Sequence, residues 1–317
     1  MKRGTSGISC LLAIDKPLGL SSHDVVNRVR RALGERRVGH AGTLDPAASG
    51  VLVVGVGQAT RLLGMLTLDD KRYEARIRFG AETSTDDAEG EVTREAEVPS
   101  RLAESAVAAA VVASLVGPCD QVPPAFSAIS VDGRRAYDRA RSGEQVELPV
   151  RHVTIHEASL VDVDTSDGLV WTCSLHVSKG TYVRSIARDL GRSMGTAAHL
   201  CGLRRTSSGP VGEQVCLSLE ELEQMTALED VLSRALDPTD ALRLPLRALS
   251  EADLEDVRCG RQVRVGQAKQ GGGLDSLDQS ARVCMVREGR LYGVWEVRGR
   301  RLASVATFPD GIMGVRS

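Results

Sequence analysis

Aromatic side chains are scarce: three Phe, four Tyr and two Trp in 317 residues. Each ring is therefore a candidate for a specific task rather than bulk core filling. No apolar run approaches the ~18 residues of a bilayer-spanning helix. The apolar stretch Cys10–Ile14, behind Lys2 and Arg3, ends at Asp15-Lys16-Pro17 and is too short for a secretory signal. The seven cysteines are scattered, with no Cys-x-x-Cys pair and no histidines at zinc spacing. That pattern argues against a disulfide scaffold or structural metal and predicts a reduced, cytoplasmic protein.

Common cofactor motifs are absent too. There is no Gly-x-x-x-x-Gly-Lys-Ser/Thr loop, and Gly55-Val56-Gly57 lacks the third glycine of a dinucleotide loop. His156-Glu157 has no second histidine four residues on, and Pro118-Cys119 lacks the partner cysteine of a zinc deaminase. No Gly-x-Ser-x-Gly elbow occurs. Neither a metal nor an organic cofactor is expected.

What is present is an ordinary globular composition, 42% hydrophobic and 26% charged. The length slightly exceeds what one core usually serves, so a large domain with a smaller companion is expected. The net charge of −2 conceals strong segregation. Residues 1–44 carry eight basic against three acidic side chains, and residues 179–206 carry six against one. Residues 213–256 reverse this with three against twelve, and residues 258–317 return to eleven against five. Basic faces on a near-neutral protein suit a polyanionic partner, although solvated surface accounts for charge runs equally well.

Along the chain, Leu11–Asp15 reads as a strand. Ser21 and Asp24 form a capping box for a helix with Val25, Val26, Val29 and Leu33 on one face and Gly34 as its stop. A glycine-rich loop spans Val38–Gly50, followed by an apolar strand, Val51–Val56. Lys71–Gly80 alternates like a half-buried strand, and Ser100–Val116 reads as an Ala/Val-rich helix. Leu169, Trp171, Cys173, Leu175 and Val177 define a strand with one buried face, and Tyr182–Met194 a helix. A boundary falls after the acidic segment that ends near Pro238 and Pro245. Beyond it, Gln262–Val265, Ala281–Arg287, Leu291–Val297 and Leu302–Thr307 suit a small β-barrel. Residues 1–244 and 245–317 are thus expected as two domains. The first is α+β, because its strands and helices mix without a βαβ rhythm.

The chemistry gathers in few places. Gly39-His40-Ala41-Gly42-Thr43-Leu44-Asp45-Pro46 places a histidine and a carboxylate in a loop stiffened by proline. Lys71-Arg72-Tyr73 opens a strand with a tyrosine. Lys179-Gly180-Thr181-Tyr182-Val183-Arg184 sets another on a glycine turn, with an arginine where the helix begins, and Leu203-Arg204-Arg205 reads as a basic turn. Taken singly, an Asp before Pro is a turn-former and each Tyr is amphipathic packing. Together they supply a carboxylate, a guanidinium, two ring faces and phosphate-binding charge, a set that fits a nucleobase enzyme acting on RNA.

These segments resemble the TruB family of tRNA pseudouridine synthases over residues 9 to about 240. The loop from Gly39-His40 to Asp45-Pro46 and Gly50 is similar to the family's catalytic loop, and Lys71 with Tyr73 to its tyrosine strand. Lys179-Gly180-Thr181-Tyr182 with Arg184 and Asp189-Leu190-Gly191 resembles its second tyrosine motif. Leu203-Arg204-Arg205 with Gly209 resembles its basic segment. An intermediate motif, Pro124–Gly143, is recognisable through Ser127-Ala128, Gly133, Tyr137 and Ala140-Arg141. The sequence departs from the family pattern at Phe126, Ser130 and Pro210.

The resemblance implies a pseudouridine synthase fold, a mainly antiparallel sheet flanked by helices and loops, with a small C-terminal PUA-like barrel. It implies isomerisation of the T-loop uridine at tRNA position 55 on a flipped-out base, without a cofactor. Asp45 would be the catalytic carboxylate, by covalent addition or by removing a sugar proton, and Arg184 would keep it ionised. Tyr73 would stack on the uracil and relay the carbon-5 proton, while Tyr182 and Leu203 would line the pocket. His40 would help extrude the base, and Lys71, Lys179, Arg204 and Arg205 would contact substrate. A cytoplasmic monomer needing no protein partner and no membrane is expected. A guide-RNA-dependent synthase and a non-catalytic tRNA-binding or tRNA-folding protein are the alternatives.

Overall fold

The computed structural model describes residues 6–126, 130–131, 134–135, 148–259, 261, 263–264, 280–299 and 301–316. Ser127, Ala128, Gly133, Tyr137, Ala140 and Arg141 of the intermediate motif lie outside these. The chain forms two compact units. One comprises Met1–Asp45, Gly50–Leu68 and Gly209–Ser317, the other Pro46–Ser49 and Asp69–Ser208.

In the first unit, β1 (Cys10–Lys16) runs antiparallel to β3 (Ala48–Val56), with Cys10 opposite Val56 and Lys16 opposite Gly50. On the other edge of β3 lies β2 (Val38–Ala41), with Val38 also opposite Val56. Helix α1 (Ser22–Leu33) has the expected boundaries. Ser21 and Asp24 form the capping box, and Gly34 ends the helix at φ 61°. Its buried residues Val25, Val26, Val29 and Leu33 pack with Leu12, Ile14, Leu52 and Val54. Leu11, Ala13, Val51 and Val53, from alternate positions of the same strands, pack with Cys284, Leu291, Val294, Phe308 and Ile312. Both faces of β1 and β3 are thus buried, which is why these strands read as continuous apolar runs.

The glycine-rich loop is shorter than expected. Val38–Ala41 and Ala48–Gly50 join strands, leaving Gly42–Ala47 as the connection. A side chain at Gly39 would meet Leu63 at 2.9 Å and one at Gly55 would meet it at 3.1 Å. These two glycines, opposite one another in the sheet, make room for Leu63 rather than for a ligand.

The second unit is an antiparallel sheet flanked by helices. Its strands are β4 (Lys71–Phe79), β5 (Gly117–Gln121), β6 (Arg151–Asp164), β7 (Val170–Val177) and β8 (Ala198–Ser208), in the order β8-β4-β7-β6-β5. Residues 203–208, expected as a basic turn, belong to β8, because Leu203 pairs with Ala75 and Arg205 with Tyr73. Helices α2 (Ser105–Ala113) and α3 (Val183–Ser193) cover the face bearing Ala75, Ile77, Trp171, Cys173 and Leu175. The expected Ser100–Val116 helix is broken at Glu104, whose φ of −82° and ψ of 116° are extended. The Trp171 indole donates to the Leu102 carbonyl at 3.0 Å, a carbonyl that a continuous helix would offer to Ala106.

The last strands are β9 (Leu246–Ala248), β10 (Val263–Arg264), β11 (Arg282–Arg287), β12 (Arg290–Arg298) and β13 (Arg301–Met313), and they belong to the first unit. Their order is β9-β11-β12-β13-β10, and among the described residues no ladder joins β9 to β10, so the expected barrel is not closed there. Helix α4 (Glu251–Arg258), unforeseen in the sequence reading, starts from a Ser250–Asp253 capping box. Among the described residues, no helix is long and apolar enough to cross a membrane.

Candidate active site

In the first unit, Asp45 sits half-buried in the Gly42–Ala47 connection. Gly42 takes φ 87°, a conformation costly for residues with a Cβ. The backbone beside Asp45 is held from α1. Ser22 Oγ donates to the Leu44 carbonyl at 3.0 Å and accepts from the Leu44 N–H at 2.8 Å. Ser22 and Leu44 are both buried, so one hydroxyl satisfies two backbone groups that water cannot reach. His40 lies in β2 opposite Val54 and is half-buried.

In the second unit, the sheet register gathers several expected site residues. Tyr73 faces Arg205 on β8 and Leu175 on β7; Leu203 faces Ala75; Lys71 faces Ser208 and Val177. Directly opposed residues share a face, and alternate residues of β4 share one too. Lys71, Tyr73, Leu203 and Arg205 therefore line one end of the face against which α3 packs. Tyr73 and Leu203 lie against the unit's apolar cluster, each with part of its surface open. Lys71 is only 7% exposed, and its Nζ donates to the Asp69 carbonyl. Burial, with Arg205 and Lys179 adding repulsion, pushes its ammonium down to about 8. Arg205 is 1% exposed, whereas Lys179 is exposed and Arg204 half-exposed, its Nη1 3.5 Å from Ser49 Oγ.

Tyr182 is the residue at which α3 begins, following the turn whose Gly180 takes φ 79°. Arg184, Arg188 and Arg192 follow at four-residue spacing and so rise along one side of the helix. The segment 82–87 supplies a carboxylate to each. Asp87 Oδ2 is 3.3 Å from Arg184, Asp86 Oδ2 is 2.7 Å from Arg188 and Glu82 Oε2 is 2.7 Å from Arg192. Arg184 also donates to the Thr85 carbonyl at 3.0 Å and the Phe126 carbonyl at 3.1 Å. Arg192 and then Arg94 hold the Glu82 carboxyl down to about 2, while burial pushes Asp86 upward.

Asp87 escaped the sequence reading. Ninety-seven residues separate it from Arg184, and Thr85-Asp86-Asp87 looks like an ordinary polar turn. The available signal was the arginine repeat at 184, 188 and 192 along one side of a helix, of which Arg184 and Arg188 are buried and so require facing carboxylates. Among the described residues, no cluster of three or more His, Cys, Asp or Glu has an arrangement suited to a metal ion.

Comparison with known proteins agrees with this architecture. Residues 30–183 match the N-terminal domain of the TruB family of pseudouridylate synthases, and residues 184–243 match the tRNA pseudouridylate synthase B C-terminal domain. The chain is 46% identical over 264 residues to tRNA pseudouridine synthase B of Paenarthrobacter aurescens, covering 82% of either chain. It is 46% identical over 286 residues to that of Thermobifida fusca, covering 88% of this chain and 94% of the other. Among solved structures, it resembles a chain of a Cbf5-Nop10-Gar1 complex with a TM-score of 0.69 at 22% identity, covering 98% of this chain and 87% of that one. A chain of an H/ACA RNP bound to a substrate RNA containing 2'-deoxyuridine gives a TM-score of 0.68 at 22% identity, over 96% and 86%. At that identity the likeness speaks for the fold, a mixed α+β pseudouridine synthase fold. With both family domains matched in sequence and close to half the residues shared with two relatives, the chain belongs to the TruB family of pseudouridylate synthases.

Proposed function

We propose that this protein isomerises the T-loop uridine at position 55 of tRNA to pseudouridine. The bond from uracil nitrogen 1 to the ribose breaks, the base turns, carbon 5 bonds to the same sugar carbon, and the carbon-5 proton is lost while nitrogen 1 takes up a proton. The reaction is redox-neutral and consumes no water. The supporting observation is the end of the second unit's sheet, where Tyr73, Leu203 and Arg205 share a face beside the helix that opens with Tyr182 and Arg184. Two rings and a leucine make a surface on which a flipped uracil stacks, and extrusion of a base into such a site costs only a few kcal/mol.

In this reading Asp45 is the catalytic carboxylate, Tyr73 stacks on the base and relays its proton, and Tyr182 and Leu203 line the pocket. Arg184 supports the ionised Asp45, and His40 occupies the place the base leaves. Lys71, Lys179, Arg204 and Arg205 supply positive charge toward RNA. The C-terminal residues 245–317 are read as a PUA-like RNA-binding region, favoured by eleven basic residues against five acidic ones between 258 and 317. The enzyme acts as a cytoplasmic monomer without a protein partner or cofactor.

Incubation with an isolated T-arm hairpin, followed by carbodiimide labelling of pseudouridine, tests this. Conversion of the single uridine at position 55 is the expected result. Dependence on a guide RNA and partner proteins, or tight binding without conversion, would replace the reading by one of the two alternatives.

A further inference from the structure

We propose that Gln121 is a positioning residue for the base pocket, fixing Tyr182 and the first turn of α3; this rests on the reading of Tyr182 given above. Gln121 ends β5 and is 3% exposed. Its amide oxygen accepts from the Tyr182 N–H at 2.7 Å, and its Nε2 donates to the Tyr182 carbonyl at 2.9 Å. One side chain thus supplies both bonds that a neighbouring strand would otherwise make.

Tyr182 needs that support. It stands where the turn at Ser178–Thr181 becomes a helix, with φ −102° and ψ 109°, and its own side chain makes no capping bond. Its backbone torsions set the direction of its ring and the start of the turn that carries Arg184. Side chains of α3 reach back to the same segment. Ser185 Oγ and Arg188 Nη2 each donate to the Val122 carbonyl at 2.9 Å, and Arg184 Nη2 donates to the Phe126 carbonyl. These hydrogen bonds join residues 121–126 to residues 182–188, and those of Gln121 hold the backbone of the tyrosine itself. A glutamine so buried, with both ends of its amide on one residue, orients the pocket without touching RNA.

A double-mutant cycle tests this, read by single-turnover pseudouridine formation at saturating tRNA, with affinity and thermal melting measured on the same preparations. Gln121→Met keeps length and apolar volume but loses both bonds. It is expected to slow the rate constant by on the order of tenfold to a hundredfold, the scale of a small misplacement at a reacting centre, while tRNA affinity changes less than about threefold because phosphate contacts dominate it. In a Tyr182→Leu background, where no ring remains to be aimed, the same change is expected to cost at least about threefold less, the remainder coming through the turn that carries Arg184. A wild-type rate in Gln121→Met, or the same fold-loss in both backgrounds, overturns the proposal. If Gln121→Met melts below the assay temperature, Gln121→Glu keeps the shape and the acceptor but not the donor, and runs through the same cycle under the same criteria. A wild-type chain that forms no pseudouridine overturns the functional reading itself, and the clamp's purpose with it.

Discussion

Arg184 Nη1 stands 3.3 Å from Asp87 Oδ2, and both residues are buried. A guanidinium removed from water persists only with its hydrogen-bonding capacity occupied, and two backbone carbonyls occupy more of it. Arg184 is thereby a planar group held by Asp87, Thr85 and Phe126, which a flexible side chain of equal charge cannot copy.

Arg184→Lys should therefore damage catalysis more than folding. An ammonium retains the charge opposite Asp87 but lacks the rigid fork that also spans two carbonyls. A single-turnover rate reduced at least on the order of tenfold, with tRNA affinity nearly unchanged, is expected. A near-normal rate would remove Arg184 from the proposed machinery.

Asp45→Asn is almost isosteric, yet an amide is neither ionised nor usefully basic. Pseudouridine should fall below detection while filter binding still shows tRNA bound, since phosphate contacts and stacking supply the affinity. Retained conversion at the wild-type rate would falsify the assignment of Asp45 as the catalytic carboxylate.

The Glu82 carboxyl is held near 2, against an ordinary value of 4.5, by Arg192 and Arg94. Between those values the unfolded chain binds a proton that the native chain does not. Stability from this group is thus complete above about pH 4.5 and is lost as pH falls toward 2. Glu82→Gln should lower the melting temperature near neutral pH and flatten its decline between pH 4.5 and 2.5. Parallel curves for the two proteins would show that the cluster contributes nothing to acid sensitivity.

Ser22→Ala leaves the Leu44 N–H and carbonyl buried without the hydroxyl that serves both. Unfolding in denaturant should show a loss of about 1–3 kcal/mol, the usual cost of such groups. Because Asp45 follows directly, the turnover rate should fall as well. An unchanged midpoint would mean that the loop rearranges without cost.

Removing residues 245–317 should destabilise the rest of the first unit, since Phe308, Leu291 and Ile312 share a core with Leu11, Ala13 and Val53. RNA contact there is better examined by exchanging exposed Arg282 and Arg298 for Glu. A shallower salt dependence of tRNA binding is expected, by about one unit of slope per lost phosphate contact. An identical slope would place these two arginines off the RNA.

Much of the local structure was legible in the residues alone, whereas the proposed catalytic roles came with the family resemblance. The limits of α1 follow from Ser21, Asp24 and Gly34, whose interactions stay within a few positions, and the strand carrying Trp171, Cys173 and Leu175 is announced by its alternation. Asp45, Tyr73, Tyr182 and Arg184 were recognisable as site candidates because their neighbours form short motifs. What tertiary structure decided has no local signature. Residues 203–208 form a strand rather than a turn because β4 lies beside them. Ser22 against Leu44, Gln121 against Tyr182 and Asp87 against Arg184 are contacts across 22 to 97 positions in the chain. Each joins a polar side chain to a backbone group or charge buried only once the sheet and helices have assembled, and until then water satisfies both partners.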